Sequence, residues 1–304
     1  MPIRPISRGE LESDENLPRP ILDKPQHFED SNFRPLVDDA TVEVDIEQVI
    51  EEPTTSKPSH DLLALIDRLQ LPGNSMVLGV CEDGLPLLLE FSDPSPGALL
   101  FLGENVNGMQ KHLLSILTSI NLLKLNSQVS INVISPDLSV FSDNELAYPI
   151  NNLLLPDQDE IFDLLGELFV TVENRQRKEN SLTNKILGNF ISPQKGPIQI
   201  LLIDQIDVLI SYLAPESLAY LRWLLRRGPS SNVWVLASLN TKNGNSLDTK
   251  TLKAFGLKVT SKMQISQETD RFTEISPVQM NELSDGEAFL KLDHEAIRFS
   301  ILEI

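Results

Sequence analysis

The sequence predicts an α/β fold in three layers, built on a mostly parallel sheet. Two observations carry this. Residues 98–102, 199–203 and 232–237 are apolar runs without polar alternation, as strands buried on both faces require. Stretches of helical spacing separate them, and alternating strands and helices give right-handed parallel crossovers.

The elements follow in order. Residues 61–69 have the apolar spacing of a helix. Residues 75–81 and 85–91 read as strands around Glu82-Asp83-Gly84, a hairpin turn. Residues 98–102 form a strand that Gly103 ends, and 111–125 are a helix. Residues 129–134 are a strand, 158–179 a long helix and 199–203 a strand. Residues 215–227 form a helix that opens on proline and is followed by Gly228. Residues 232–237, 257–260 and 286–292 supply further strands.

The first 58 residues differ from the rest. They hold 8 of the 20 prolines, with 14 acidic and 6 basic side chains. Proline removes a backbone donor, and high net charge leaves too little to bury, so 1–58 is expected to be a disordered acidic tail. Within it, residues 40–50 alternate apolar and polar positions, as a short strand, a docking motif or chance would. Residues 59–304 are the expected domain, with a leading helix and hairpin over 59–95 and a core over 96–304.

Composition excludes several classes. The chain carries 44 acidic and 25 basic residues, a formal charge of −19 and a pI near 4.6. A surface that coats nucleic acid needs the opposite surplus. Cys81 is the single cysteine, so no disulfide forms within the chain and a cysteine zinc site is not expected. The histidines at 27, 60, 112 and 294 are scattered, which argues against a metal cluster. No run of 18 apolar residues occurs, and the N-terminus shows no apolar leader, so the cytoplasm is expected and a membrane partner is not.

Two elements carry chemistry. The strand at 98–102 runs into Gly103-Glu-Asn-Val-Asn-Gly108-Met109-Gln110-Lys111 and then a helix. A phosphate loop has Gly-x4-Gly-Lys-Ser/Thr in this setting; its amides wrap the phosphates, its lysine neutralises them and its hydroxyl binds Mg²⁺. Gly103 and Gly108 have the required spacing. Met109 takes the lysine place and Gln110 the hydroxyl place. Lys111 is two residues late, about 200° around a helix. The second element is the strand at 199–203 ending in Asp204, the form of a Walker B motif whose aspartate holds Mg²⁺. The place of a general base is Gln205, and an amide cannot take a proton. Asp207 reads as a surrogate acid or a helix N-cap, with the cap preferred.

With both elements in this order, the chain resembles the FtsK/SpoIIIE motor domain, in the FtsK–HerA branch of P-loop ATPases. The resemblance spans residues 75–300. Pro96-Gly-Ala-Leu-Leu-Phe-Leu-Gly103 is similar to the lead into that family's Walker A motif. Ser135-Pro136-Asp137 stands where the family has Asp-Pro-Lys, and 148–156 where it has a Pro-His-Leu segment. The helix ending at Arg177 resembles its Glu-Met-x-x-Arg-Tyr helix. Residues 224–228, 237–240, 252–259, 269–271 and 284–289 resemble its later motifs in turn. The resemblance implies a RecA/FtsK-like P-loop NTPase fold, ATP with Mg²⁺ as cofactors, a ring assembly and DNA in its pore.

The departures fall on the catalytic positions. The lysine, the hydroxyl and the Walker B glutamate are absent, and a sensor-like glutamine is Leu239. Three readings result. The first is a pseudo-ATPase, a degenerate ATPase fold kept as an assembly or regulatory module with a protein partner or as a homo-oligomer, and needing no cofactor. The second is an active DNA-translocating ATPase using Lys111, Asp204 and Asp207, with Mg²⁺ on Asp204. The third is an unrelated α/β protein-binding scaffold. Arg226 and Arg227 read as an arginine finger aimed at a neighbour, or as cations that favour a helix C-terminus.

Overall fold

The computed structural model describes residues 61–123, 129–142, 150–183, 196–242, 247–264, 272–273, 275–292 and 295–302. The tail at 1–58, the alternating patch at 40–50, the 269–271 motif and three of the four histidines lie outside them.

Among the described residues, ten strands form one sheet. They are β1 Ser75–Cys81, β2 Pro86–Glu90, β3 Leu99–Gly103, β4 Val129–Ile134, β5 Ile150–Leu154, β6 Ile198–Ile203, β7 Val233–Asn240, β8 Leu257–Ser261, β9 Glu287–Leu292 and β10 Glu295–Ser300. The order is β2-β1-β10-β9-β8-β3-β7-β6-β4-β5. From β8 to β5 all neighbours are parallel; from β9 to β2 they are antiparallel. The hairpin expected ahead of the core is therefore the far end of the same sheet, joined through β10.

Helices cover both faces, which is why the central strands carry no polar alternation. On one face α2, Val106–Leu122, buries Leu113, Ile116 and Ile120 against Phe101, Ile131 and Trp234. On the other, α4 Glu160–Thr183, α5 Ile206–Tyr212 and α6 Pro215–Arg227 bury Leu165, Leu168, Leu209, Leu221 and Leu224 against Leu100, Leu201 and Val235. At the sheet's antiparallel end α1, Leu62–Leu69, packs Leu62 and Leu65 on Val77 and Val80, with Asp61 capping its N-terminus.

Several expectations change. α2 begins at Val106, five residues earlier than expected, and takes in Gly108, Met109 and Gln110. Asp207 is not a cap; Gln205 holds that place at φ 56° without a side-chain cap bond, and Asp207 lies in the first turn of α5. Gly228 caps α6 in right-handed conformation, φ −56°. It is glycine for lack of room, since a Cβ there would lie 2.3 Å from the Val233 carbonyl oxygen. Strands β5 and β10 and the short helices α3 Ser139–Ser142, α7 Thr249–Leu252 and α8 Pro277–Glu282 were not expected.

Candidate functional site

β3 and β6 flank β7, and all three run parallel, so Gly103 and Asp204 emerge at the same edge of the sheet. In an open parallel sheet this carboxyl edge is where ligands bind. The structure brings the two sequence elements together there.

The connection from β3 to α2 is two residues long. Asn105 caps the helix, its Oδ1 accepting from the Gly108 N–H at 3.1 Å, while its carbonyl accepts from the Met109 N–H at 3.0 Å. The amides of 108 and 109, which would face a phosphate in an open loop, are thus bonded to Asn105. Met109 is buried, with its sulfur packed toward Gly103. Before it, Glu104 accepts from the Gln264 N–H at 2.8 Å and pairs with Lys242 at 3.5 Å.

Asp204 is fully buried, at 0% exposure. Its Oδ2 accepts from Gln110 Nε2 at 2.7 Å and from Ser135 Oγ at 3.0 Å, and its Oδ1 accepts from Ser238 Oγ at 2.9 Å. Gln110 reaches it because α2 starts early, which turns position 110 into the sheet edge. Ser238 in turn accepts from the Gln205 N–H at 2.8 Å, fixing the strained left-handed turn after β6. Burial pushes the nearby Asp207 carboxyl up and the Asp204 charge adds to this, while the amides of Asp207, Asn240 and Val208 oppose it. Asp207 Oδ1 and Thr241 Oγ1 are buried without a hydrogen-bond partner among the described residues. Leu239 is fully buried in β7.

A cleft of about 1220 Å³ opens beside this edge, on the β8–β9 side of α2. Met109, Lys111, Lys242, Lys262, Met263 and Met280 are among its walls; Gln110, Asp204 and Gln205 are not. Lys111 therefore shares a cavity with Asn105 and Gly108 despite its angular offset, and its side chain is exposed. Arg226 and Arg227 end α6 at the start of β7, the edge opposite Asp204; both are exposed, and Arg226 Nε donates to the Arg222 carbonyl at 3.3 Å. No group of three potential metal-ligating side chains occurs among the described residues. No described helix is long and apolar enough to cross a membrane.

Sequence reasoning missed Asn105, Ser135 and Ser238. Asn105 had a local signal, an N-capping residue before an apolar-periodic run. The two serines had none, since both are distant from Asp204 in sequence.

The sequence matches no protein-family model and no curated protein. Solved structures share the fold. The cytoplasmic domain of the type VII secretion ATPase EccC from Thermomonospora curvata aligns with a TM-score of 0.55 at 17% identity, covering 78% of this chain and 29% of that one. The pCW3 conjugation coupling protein TcpA, solved with ATPγS, aligns at 0.57 and 14%, covering 76% and 66%. EssC, ATPases 2 and 3, from Geobacillus thermodenitrificans aligns at 0.58 and 16%, covering 76% and 44%. This chain spans less than two thirds of each. The fold is the FtsK-like P-loop ATPase fold.

Proposed function

We propose that this protein is a pseudo-ATPase, an FtsK-type fold kept as an assembly or regulatory module for a motor or another protein. The state of Asp204 carries the reading. A Walker B carboxylate must offer free lone pairs to the Mg²⁺ shell. Here the Gln110 amide points at Oδ2 from the helix position where a hydroxyl would share the metal, and two serines take further lone pairs. Mg²⁺ demands near-octahedral oxygen ligands at about 2.0–2.1 Å. An amide donor at 2.7 Å blocks that approach.

The surroundings agree. Met109 brings no charge to a phosphate, Gln205 takes no proton, and Asn105 engages the Gly108 amide. DNA contact by family likeness has no support in a net charge of −19.

A second reading has one observation in its favour: Lys111, Lys242 and Lys262 edge a cleft of about 1220 Å³, roomy enough to admit a nucleotide. In it, ATP binds through those lysines and Mg²⁺ through Asp204, which counts against it, because Asp204 is buried and does not line the cleft. The scaffold reading without any nucleotide ancestry is weakened by the junction of Gln110 with Asp204.

Steady-state ATP hydrolysis by the full chain, with and without double-stranded DNA, tests the proposal. The expected result is no turnover above background, unchanged in Asp204→Ala. Turnover near 1 s⁻¹ or more, the ordinary lower range for enzymes, that disappears in Asp204→Ala would overturn it.

A further inference from the structure

The pseudo-ATPase reading makes no use of the cleft beside α2. The helix itself, the end of β8, α8, the loop into β9 and residues 301–302 wall it. Its volume, about 1220 Å³, exceeds the roughly 300–1,000 Å³ typical of small-molecule clefts. The Gly108 amide, which would hold a phosphate in an open loop, is bonded to Asn105. The groups of the cleft that can hold an anion are therefore its lysines.

Most charge in the lining is already engaged. Glu104 accepts from the Gln264 N–H at 2.8 Å and pairs with Lys242 at 3.5 Å. Glu287 pairs with Arg298 at 2.7 Å and accepts from the Ser284 N–H at 2.6 Å. Lys111 and Lys262 differ: both are exposed, and neither forms an ion pair with a described residue. Lys111 stands on α2 and Lys262 just past β8, so two separate walls carry positive charge. Asp285, in the loop before β9, is the other charged group of the lining. In a chain of net charge −19, two unopposed lysines at one cleft favour an anionic partner.

The remaining lining is mixed. Asn281 is exposed and Ser261 half-buried, and they offer an amide and a hydroxyl that can pair with a main chain. Met109, Met263 and Met280 close the floor, at 3%, 5% and 1% exposure. Three of the five methionines of the chain thus line this one cleft. Thioether side chains rearrange readily around an entering apolar group. Leu114 and Ile301, both half-buried, add apolar wall.

We propose that this cleft is the docking site for a peptide segment of a partner protein, one that carries carboxylates beside an apolar side chain. The carboxylates pair with Lys111 and Lys262. The main chain bonds Asn281 and Ser261, and the apolar side chain enters over the methionines. The inference rests on the assembly-module part of the proposed function, which supplies the partner, and not on the loss of ATPase chemistry.

Selection from a random linear peptide library on the full chain tests it. The expected binders carry Asp or Glu beside an apolar residue and bind in the micromolar range. Their affinity should fall with salt, because the Debye length drops from about 10 Å at 0.1 M to about 3 Å at 1 M. Lys111→Glu with Lys262→Glu should weaken them by roughly tenfold or more, and Asn281→Trp, which sets a ring in the cleft, should do the same. All three positions are exposed, so the melting midpoints of these variants should stay near that of the wild type. A library that yields no binder would overturn the inference. So would basic binders, or binders indifferent to both variants; these results leave the pseudo-ATPase reading untouched. Displacement of the selected peptides by ATP would put a nucleotide in the cleft and overturn both.

Discussion

Replacing Asp204 with alanine should unfold this protein more readily, and the size of the effect distinguishes a structural carboxylate from a metal ligand. The side chain is at 0% exposure and accepts three hydrogen bonds, from Gln110, Ser135 and Ser238. Alanine leaves three buried donors without their acceptor. Each orphaned donor costs about 1–3 kcal/mol. The serine hydroxyls can rotate, so the lower part of the range applies to them, and Gln110 bears most of the loss. The total is about 3–5 kcal/mol, the range for removing one partner from a buried charged network. At about 2–4 °C per kcal/mol for a domain of this length, the melting midpoint falls by about 10 °C. Urea unfolding followed by tryptophan fluorescence reads it directly, since Trp234 is buried in β7 with its ring 5.6 Å from Phe91. A loss under about 0.5 kcal/mol, typical of an unconstrained surface position, would refute the reasoning. So would wild-type stability that rises with Mg²⁺ and a variant that ignores the ion, because a site held ready for metal gains stability only when loaded.

Further outcomes follow from neighbouring geometry. Gln110→Leu should cost about 1–3 kcal/mol in urea unfolding, and a double-mutant cycle with Asp204→Ala should show a coupling of about 0.5–3 kcal/mol. His112 is fully buried, with Nε2 2.7 Å from the Leu78 carbonyl oxygen, and burial lowers its pKa to about 4 despite the opposing bond to Leu78. The unfolded chain takes up that proton near pH 6.5 and the native state only near 4, so stability is lost as pH falls between them, by about 3 kcal/mol. His112→Gln should flatten that part of the stability–pH curve; an unchanged slope would contradict the assignment. Gly228→Ala should cost about 2–3 kcal/mol by chevron or melt, since its Cβ would press on the backbone oxygens of Val233 and Leu224 rather than on side chains that can move.

The central sheet was readable because its strands are buried on both faces. Ile198–Ile203 and Val233–Asn240 have no solvent side to alternate toward. The edges were harder. β5 reads Ile-Asn-Asn-Leu-Leu, and asparagine disfavours strands. Here Asn152 Nδ2 donates to Asn132 Oδ1 at 2.8 Å and Asn151 Oδ1 accepts from Ser130 and Ile131, a pairing that exists only once β4 is beside it. β10 was missed because Glu295-Ala-Ile-Arg-Phe-Ser300 earns its place through Arg298, which bonds Glu287 at 2.7 Å on β9. At the site, the spacing of Gly103 and Gly108 and the position of Asp204 were legible. The early start of α2 was not, since Val106, Asn107 and Gly108 are poor helix formers that the Asn105 cap offsets. That shift decides the chemistry: it turns Gln110 onto a residue 94 positions away.

Calorimetric titration of the full chain with ATP and Mg²⁺ tests the pseudo-ATPase account most directly. The expected result is no saturable heat, in the wild type and in Lys111→Ala alike, and no change in melting midpoint with nucleotide. Stoichiometric Mg-ATP binding in the micromolar range, about −8 kcal/mol, that is lost in both Lys111→Ala and Asp204→Ala would contradict it.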